Sequence, residues 1–81
     1  MSADFNPADY PHKALIQGTD PNAATVIAWT RTGMLDAPML QAAVDTLRTG
    51  GHVLVMASSE YGLNQARLTL LDLLTALEKT P

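Results

Sequence analysis

The sequence contains no cysteine, few aromatic residues and no long apolar run, and each deficit excludes a class of protein. Without cysteine, disulfide scaffolds and thiolate metal sites are excluded. The longest uninterrupted apolar run, residues 53–57, is far shorter than a membrane-spanning helix. The first residues are polar and acidic, and they lack the apolar stretch of a signal peptide. We therefore expect a soluble, cytoplasmic protein that does not interact with membranes.

Basic residues are also scarce, because five Lys and Arg stand against eight Asp and Glu, and the formal net charge is −3. The five basic residues occur singly along the chain and form no stripe. Proteins that bind nucleic acid by its phosphates normally carry such a stripe. We expect no nucleic-acid partner, although two short capped helices would be the place to look for DNA binding.

The length of 81 residues corresponds to one domain. The apolar residues are mainly Ala and Leu, with only four aromatic residues, and this composition favours helices over a β-sandwich. A chain of this size buries a small core, so self-association would add stability. The sequence therefore predicts an all-α domain that forms a homo-oligomer, most simply a dimer.

Three segments of helix and one arm are predicted. Residues 1–19 contain two prolines among Asp and Asn, which indicates an extended or disordered N-terminal arm, and residues 20–81 form the single helical domain. A helix over about 21–32 is expected to begin at Asp20-Pro21 and to end at Gly33. A long helix over about 37–58 and a last helix over about 63–79, joined by a short loop, would form an antiparallel hairpin.

The stretch 52–57 supports two interpretations. Paired glycines followed by Val53 and Val55 suit a short strand. However, apolar and small residues at alternating spacings of three and four suit one continuous helix, and a lone strand would have only the short segment 14–16 as a partner. On this argument we predict a helix, with the strand as the alternative. The seam residues of the helix are Leu40, Val44, Leu47, Gly51, Leu54, Ser58 and Tyr61.

The last helix contains more leucines than one core can accept. At about 100° per residue, one stripe faces the hairpin core, while Leu68 and Leu71 point elsewhere. Isolated exposed leucines are common, but two on one helix favour an interface. Trp29, the only tryptophan, is a further candidate for protein binding, although such a residue more often closes the core of a small domain. The core stripe contains Leu63, Ala66, Leu70, Leu73, Leu74 and Leu77.

About half of the chain, from residue 36 onward, resembles a group of short uncharacterised pseudomonad proteins. The resemblance is carried by Met39-Leu40, Ala42-Ala43, Asp45-Thr46-Leu47, Met56-Ala57-Ser58, Arg67, Leu70-Leu71 and Leu73-Leu74. The double glycine and the short loop near Gly62 depart from the pattern of that group. The resemblance implies a helical hairpin and no assigned activity.

Catalytic and metal-binding patterns are weak. Ser58 or Ser59 with His52 and Asp72 is the only combination of nucleophile, base and acid worth naming, and it lacks the glycines of a nucleophile elbow. The two histidines are far apart in sequence and have no ligand partner at helical spacing. We therefore predict no metal and no cofactor.

The sequence favours a non-enzymatic small bacterial protein that acts through protein–protein binding, as a self-associating regulator, inhibitor or chaperone. Its predicted interface residues are Leu68, Leu71 and Trp29. The alternative is a small α/β enzyme or ligand-binding domain, with a strand at 52–57 and a site near His52, Ser58 and Ser59.

Overall fold

The computed structural model describes residues 5–79 and shows a two-layer α/β fold. Residues 1–4 of the predicted arm and residues 80–81 lie outside the described residues. A short 3₁₀ helix at Pro7–Asp9 precedes β1 (His12–Ile16), β2 (Thr25–Thr30), α1 (Ala37–Arg48), β3 (His52–Ala57) and α2 (Glu60–Glu78). The all-α fold and the helical hairpin predicted from the sequence are therefore wrong.

The sheet has the strand order β1-β3-β2, so β3 lies in the centre. β1 runs antiparallel to β3, and β2 runs parallel to it. The parallel pair is connected through α1, which is the usual route between parallel strands. Both helices pack on the same face of the sheet. The core between the layers contains Ala28, Leu35, Ala43, Val44, Leu47, Val53, Val55, Ala66 and Leu70.

The predicted helix over 21–32 is replaced by a turn and β2. Asp20 does not start a helix; its carboxylate Oδ1 accepts a hydrogen bond from the backbone N–H of Asn22, 3.0 Å away, and closes a turn. The following residues, Thr-Val-Ile-Ala-Trp-Thr, are rich in the β-branched and aromatic types that favour strands. Pairing along six residues of β3 then fixes the extended conformation.

The predicted helix over 37–58 ends ten residues early, at Arg48, because Gly50 adopts the left-handed conformation with φ of 95°. The N–H of Gly50 bonds to the carbonyl of Leu47 at 3.2 Å, and the N–H of Gly51 bonds to the carbonyl of Thr46 at 2.8 Å. These two bonds form a Schellman motif, which satisfies the last carbonyls of α1 and turns the chain into β3. The strand alternative for residues 52–57 is the one observed.

Thr30 organises the connection from β2 to α1. Its buried hydroxyl accepts hydrogen bonds from the N–H of Gly33 at 3.0 Å and the N–H of Thr32 at 3.2 Å, and it donates to the carbonyl of Met34 at 3.0 Å. One side chain thus satisfies three backbone groups in a loop that has no ladder partner.

Replacing this hydroxyl by a methyl group tests its role. Thr30→Val is expected to lower the free energy of unfolding by about 1–3 kcal/mol, because the shape is kept while the backbone groups lose their partner. Urea denaturation followed by circular dichroism measures the change. Thr25→Val, at an exposed position of the same strand, is the matched control, and equal stability of the two variants would contradict the role of Thr30.

Candidate functional site

The structure does not bring together the residues of the predicted hydrolase combination. His52 begins β3 and Ser58 follows its end, so a six-residue strand, roughly 20 Å long, separates them. Asp72 lies on the exposed side of α2. Ser58 Oγ donates to the carbonyl of Arg31 at 3.0 Å, and Ser59 Oγ accepts from the N–H of Gly62 at 3.0 Å as the N-cap of α2. Both serine hydroxyls are therefore engaged in hydrogen bonds that hold the fold together.

His52 also has a structural partner. Its Nδ1 accepts a hydrogen bond of 2.9 Å from the N–H of Gly18, which links the loop after β1 to the start of β3. Within residues 5–79, no group of three or more His, Cys, Asp or Glu side chains is placed to hold a metal ion. Neither α1 nor α2 is sufficiently long and apolar to cross a lipid bilayer.

Trp29 lies in β2, half-buried, on the face of the sheet opposite the helices. The ring of Phe5 packs against it, with 4.5 Å between the ring centroids. The backbone N–H of Trp29 points away from β3 and donates to the thioether sulfur of Met39 at 3.2 Å. β2 is an edge strand, so the N–H of Trp29 would otherwise be an unpaired donor at the edge of the sheet. The contact with Met39 satisfies this donor. The indole of Trp29 thus packs against a residue of the same chain, and part of its surface remains exposed to solvent.

Among the described residues 5–79, no α-helix covers the opposite face of the sheet, here called the open sheet face. Side chains alternate along each strand, so the residues between the buried valines of β3 point to this face. The strand register aligns Leu15, Leu54 and Ile27 in one apolar row across its centre. Leu15 is 53% exposed, and Ile27 is 41% exposed. The residues that point to the open sheet face are Lys13, Leu15, Thr25, Ile27, Trp29, His52, Leu54 and Met56. The end of this face near Trp29 is covered in part, because Phe5 packs on Trp29 and Met56 is only 3% exposed.

Two shallow grooves border the open sheet face. The first, of about 310 Å³, lies at the start of β3 and is lined by residues that include Leu15, Gly18 and His52. The second, of about 330 Å³, lies at the end of β2 beside Trp29 and Arg31. These volumes are at the small end of the range for ligand pockets.

The second groove is lined by two charged residues, Arg31 and Asp36. Arg31 is held by contacts with the N-terminal segment. Its Nε donates to the Tyr10 hydroxyl at 3.3 Å, and its terminal nitrogen lies 3.9 Å from the carboxylate of Asp9. The pKa of the Arg31 guanidinium is raised, first by the hydrogen bond to Tyr10 and then by the charges of Tyr10 and Asp9. Both ion-pair partners are exposed, so their attraction contributes little to stability.

α2 carries three exposed large apolar side chains on the side away from the core: Tyr61, Leu68 and Leu71. Ala66 and Leu70 are fully buried against the sheet, whereas Leu68 is 51% exposed and Leu71 is 39% exposed. Tyr61, in the first turn, is 72% exposed. Residues spaced three and four apart extend these positions into a line along the helix, here called the α2 stripe. The α2 stripe is formed by Tyr61, Asn64, Leu68, Leu71, Thr75 and Glu78.

Helical spacing alone placed Leu68 and Leu71 outside the core, and both are exposed in the structure. Their role in an interface stays a prediction. Tyr61 was not among the predicted interface residues, because the sequence before residue 63 was interpreted as a turn. Counting back from Leu68 by seven residues would have placed Tyr61 on the same side.

The open sheet face was not predicted. Its central row joins three strands, and the segment that contains Ile27 was expected to be a helix. The alternation of Thr25, Ile27 and Trp29 with Val26, Ala28 and Thr30 was the available signal.

Comparison of the sequence with protein-family models and with characterised proteins, and of the structure with solved structures, gives no match.

Proposed function

We propose that this protein is a non-enzymatic α/β protein that acts through protein–protein binding and self-associates as a two-fold dimer through the α2 stripe. The observation that carries the proposal is the exposure of Leu68 and Leu71 on the side of α2 that the core does not use. Large exposed apolar side chains grouped on one element are typical of interaction surfaces. The cytoplasmic location expected from the sequence stays a prediction.

Two physical arguments favour a second copy as the occupant of the α2 stripe. A chain of 81 residues has a small core, and burying further apolar surface between copies stabilises it. In addition, a two-fold contact places the same helix on both sides, so each leucine meets a leucine from the other copy. The resulting pair of helices would leave the open sheet faces of the two protomers on the outside of the dimer.

Such a dimer should be weak. A pair of 19-residue helices buries less area than a standard protein interface, so we expect a Kd on the order of 10 µM. The dimer fraction should therefore rise with protein concentration from about 1 µM to about 1 mM.

Replacement of a stripe leucine by a charged residue tests the proposal. Leu68→Glu is expected to weaken dimerisation about 100-fold or more, because two carboxylates would lie in the apolar centre of the contact. Sedimentation velocity over the full concentration range measures the change. Circular dichroism should show an unchanged fold, since position 68 faces solvent in the monomer.

Leu15→Glu is the matched control. Leu15 is as exposed as Leu68, at 53% against 51%, but it lies on the open sheet face. We expect this variant to dimerise like the unmodified chain. The reverse result, with loss of the dimer in Leu15→Glu alone, would move the interface to the sheet and contradict the proposal.

A further inference from the structure

We propose that residues 5–9 form a strap that opens and closes over the end of the open sheet face near Trp29. The closed state is the one in the structure, where Phe5 of this N-terminal strap packs on Trp29. In the open state the strap turns outward about Tyr10, and it uncovers Trp29 and Met56 while the sheet stays folded. Because Trp29 lies on the face opposite the helices, the strap acts independently of dimerisation through the α2 stripe.

The position of Phe5 explains why this end of the face is covered. Its ring centroid lies 4.5 Å from that of Trp29 and 5.5 Å from that of Tyr10. Trp29 belongs to β2 and Tyr10 precedes β1, so Phe5 lies between side chains from the two edges of the sheet. Met56 pairs with Trp29 from the central strand and is only 3% exposed, although no α-helix within residues 5–79 lies on this face. The aromatic cluster around Phe5 accounts for this burial.

Opening of the N-terminal strap enlarges the apolar surface of the sheet. The row of Leu15, Leu54 and Ile27 crosses the sheet two residues before Trp29 and Met56 along their strands. The open state therefore joins five apolar side chains into one surface across three strands. Monomeric proteins rarely leave such a surface uncovered. The closed state is thus the resting state, and the strap controls access to this surface.

The N-terminal strap is a self-contained unit. The N–H groups of Asp9 and Tyr10 bond to the carbonyls of Asn6 and Pro7, at 2.9 and 3.1 Å. In the described part of the chain, no backbone hydrogen bond connects the strap to a strand. All of its residues except Phe5 are exposed. The strap can therefore move away without loss of backbone hydrogen bonds, and segments with few buried contacts open at low free energy.

Tyr10 is the fixed end of the N-terminal strap. It is 7% exposed, and its hydroxyl accepts a hydrogen bond of 3.3 Å from Nε of Arg31. The ion pair between Asp9 and Arg31, at 3.9 Å, joins two exposed side chains and contributes little. The ring contacts of Phe5 are therefore the interaction that keeps the strap closed.

Because the chain contains no cysteine, Met56→Cys introduces a single thiol that reports opening. Its reaction with an aromatic disulfide reagent should be about 10 to 100 times slower than that of Leu15→Cys, which corresponds to an open population of about 1–10%. Addition of Phe5→Ala should accelerate the reaction about fivefold, because the ring contacts are lost. Addition of Asp9→Asn should change it less than about twofold.

Val55→Cys separates opening of the strap from unfolding of the domain. Val55 is fully buried on the helix side of β3, so its thiol reacts only after unfolding. Urea below the unfolding transition should accelerate the reaction of Val55→Cys and leave that of Met56→Cys nearly unchanged. An equal urea dependence for the two thiols would mean that Met56 is uncovered only by unfolding, and it would overturn the proposal.

Quenching of Trp29 fluorescence by acrylamide is an independent measurement that leaves the sheet unchanged, since Trp29 is the only tryptophan. Phe5→Ala should raise the quenching constant about twofold, with circular dichroism showing the same fold. Leu15→Ala, at the other end of the open sheet face, is the matched control and should quench like the unmodified chain. Unchanged quenching in Phe5→Ala would show that Phe5 does not close the face, and it would contradict the proposal even if Met56→Cys failed to fold.

Discussion

Gly18→Ala should lower the free energy of unfolding by about 3 kcal/mol or more, since the added methyl group has no space. A Cβ at this position would overlap the carbonyl oxygens of Gly50 and Gly51. These are backbone atoms, and they cannot move away easily. The Gly18 N–H is bonded to His52 at 2.9 Å, and the N–H of Asp20 is bonded to the carbonyl of Gly50 at 3.0 Å.

The effect is large relative to the stability of the domain, which for this length is about 4–12 kcal/mol. Urea denaturation with circular dichroism gives the midpoint for Gly18→Ala and for Gln17→Ala, a neighbouring exposed position. Gln17→Ala should unfold like the unmodified protein. Similar midpoints for both variants would mean that the loop after β1 does not pack against Gly50 and Gly51 as described.

Leu70→Ala is expected to cost about 3 kcal/mol, because Leu70 is fully buried between α2 and the sheet and its removal leaves a cavity. Leu68→Ala makes the same chemical change two residues away, at a position that is 51% exposed. It should change the free energy of unfolding by less than about 0.5 kcal/mol. The difference between the two unfolding free energies therefore shows which side of α2 faces the sheet.

Denaturation of both variants at about 1 µM protein, where the expected dimer is mostly dissociated, isolates the stability of the monomer. At about 1 mM, Leu68→Ala should also lose the stabilisation that comes from the second copy. If Leu68→Ala were the more destabilising variant at low concentration, the assignment of the two sides of α2 would be wrong.

The two sides of α2 were predictable from the sequence because they follow from helical spacing alone. Residues such as Leu63, Ala66 and Leu70 recur at intervals that place them on one side, and no distant contact is needed to find them. The same calculation leaves Leu68 and Leu71 on the other side. Once a helix is assumed, its geometry alone decides which side chains share a side.

The sheet was not predictable in the same way, because each strand depends on partners that are distant in sequence. With residues 14–16 as its only visible partner, the sequence of β3 does not by itself favour a strand. Its second partner, β2, lay in a segment interpreted as helical from the Asp20-Pro21 start signal. The two errors are therefore linked, and correct assignment of β2 would have made β3 a central strand.

The end of α1 shows how a local signal was overruled. Gly50 after Arg48 and Thr49 is typical of a helix end, and the structure has a left-handed Gly50 there. The apparent seam from Leu40 to Tyr61 outweighed it in the prediction. That seam arose by coincidence, because it joins the core-facing residues Leu40, Val44 and Leu47 of α1 to Leu54 of β3, which points to the opposite face of the sheet.

The candidate surfaces were predictable to different extents. The leucines of the α2 stripe required only the helix, whereas the open sheet face required the register of three strands. The residue type of Trp29 makes it a candidate anchor for a partner, with packing inside the chain as the more common role. Its contact with Phe5 depends on how the N-terminal segment folds against the sheet.

The molar mass of the unmodified chain in solution tests the central claim most directly. Sedimentation equilibrium from about 1 µM to about 1 mM should show a rise from the chain mass of 8.7 kDa towards twice that value. Leu68→Glu should remain at the lower mass, and Leu15→Glu should follow the unmodified chain. A mass that stays at 8.7 kDa over the whole range for the unmodified chain would contradict the account.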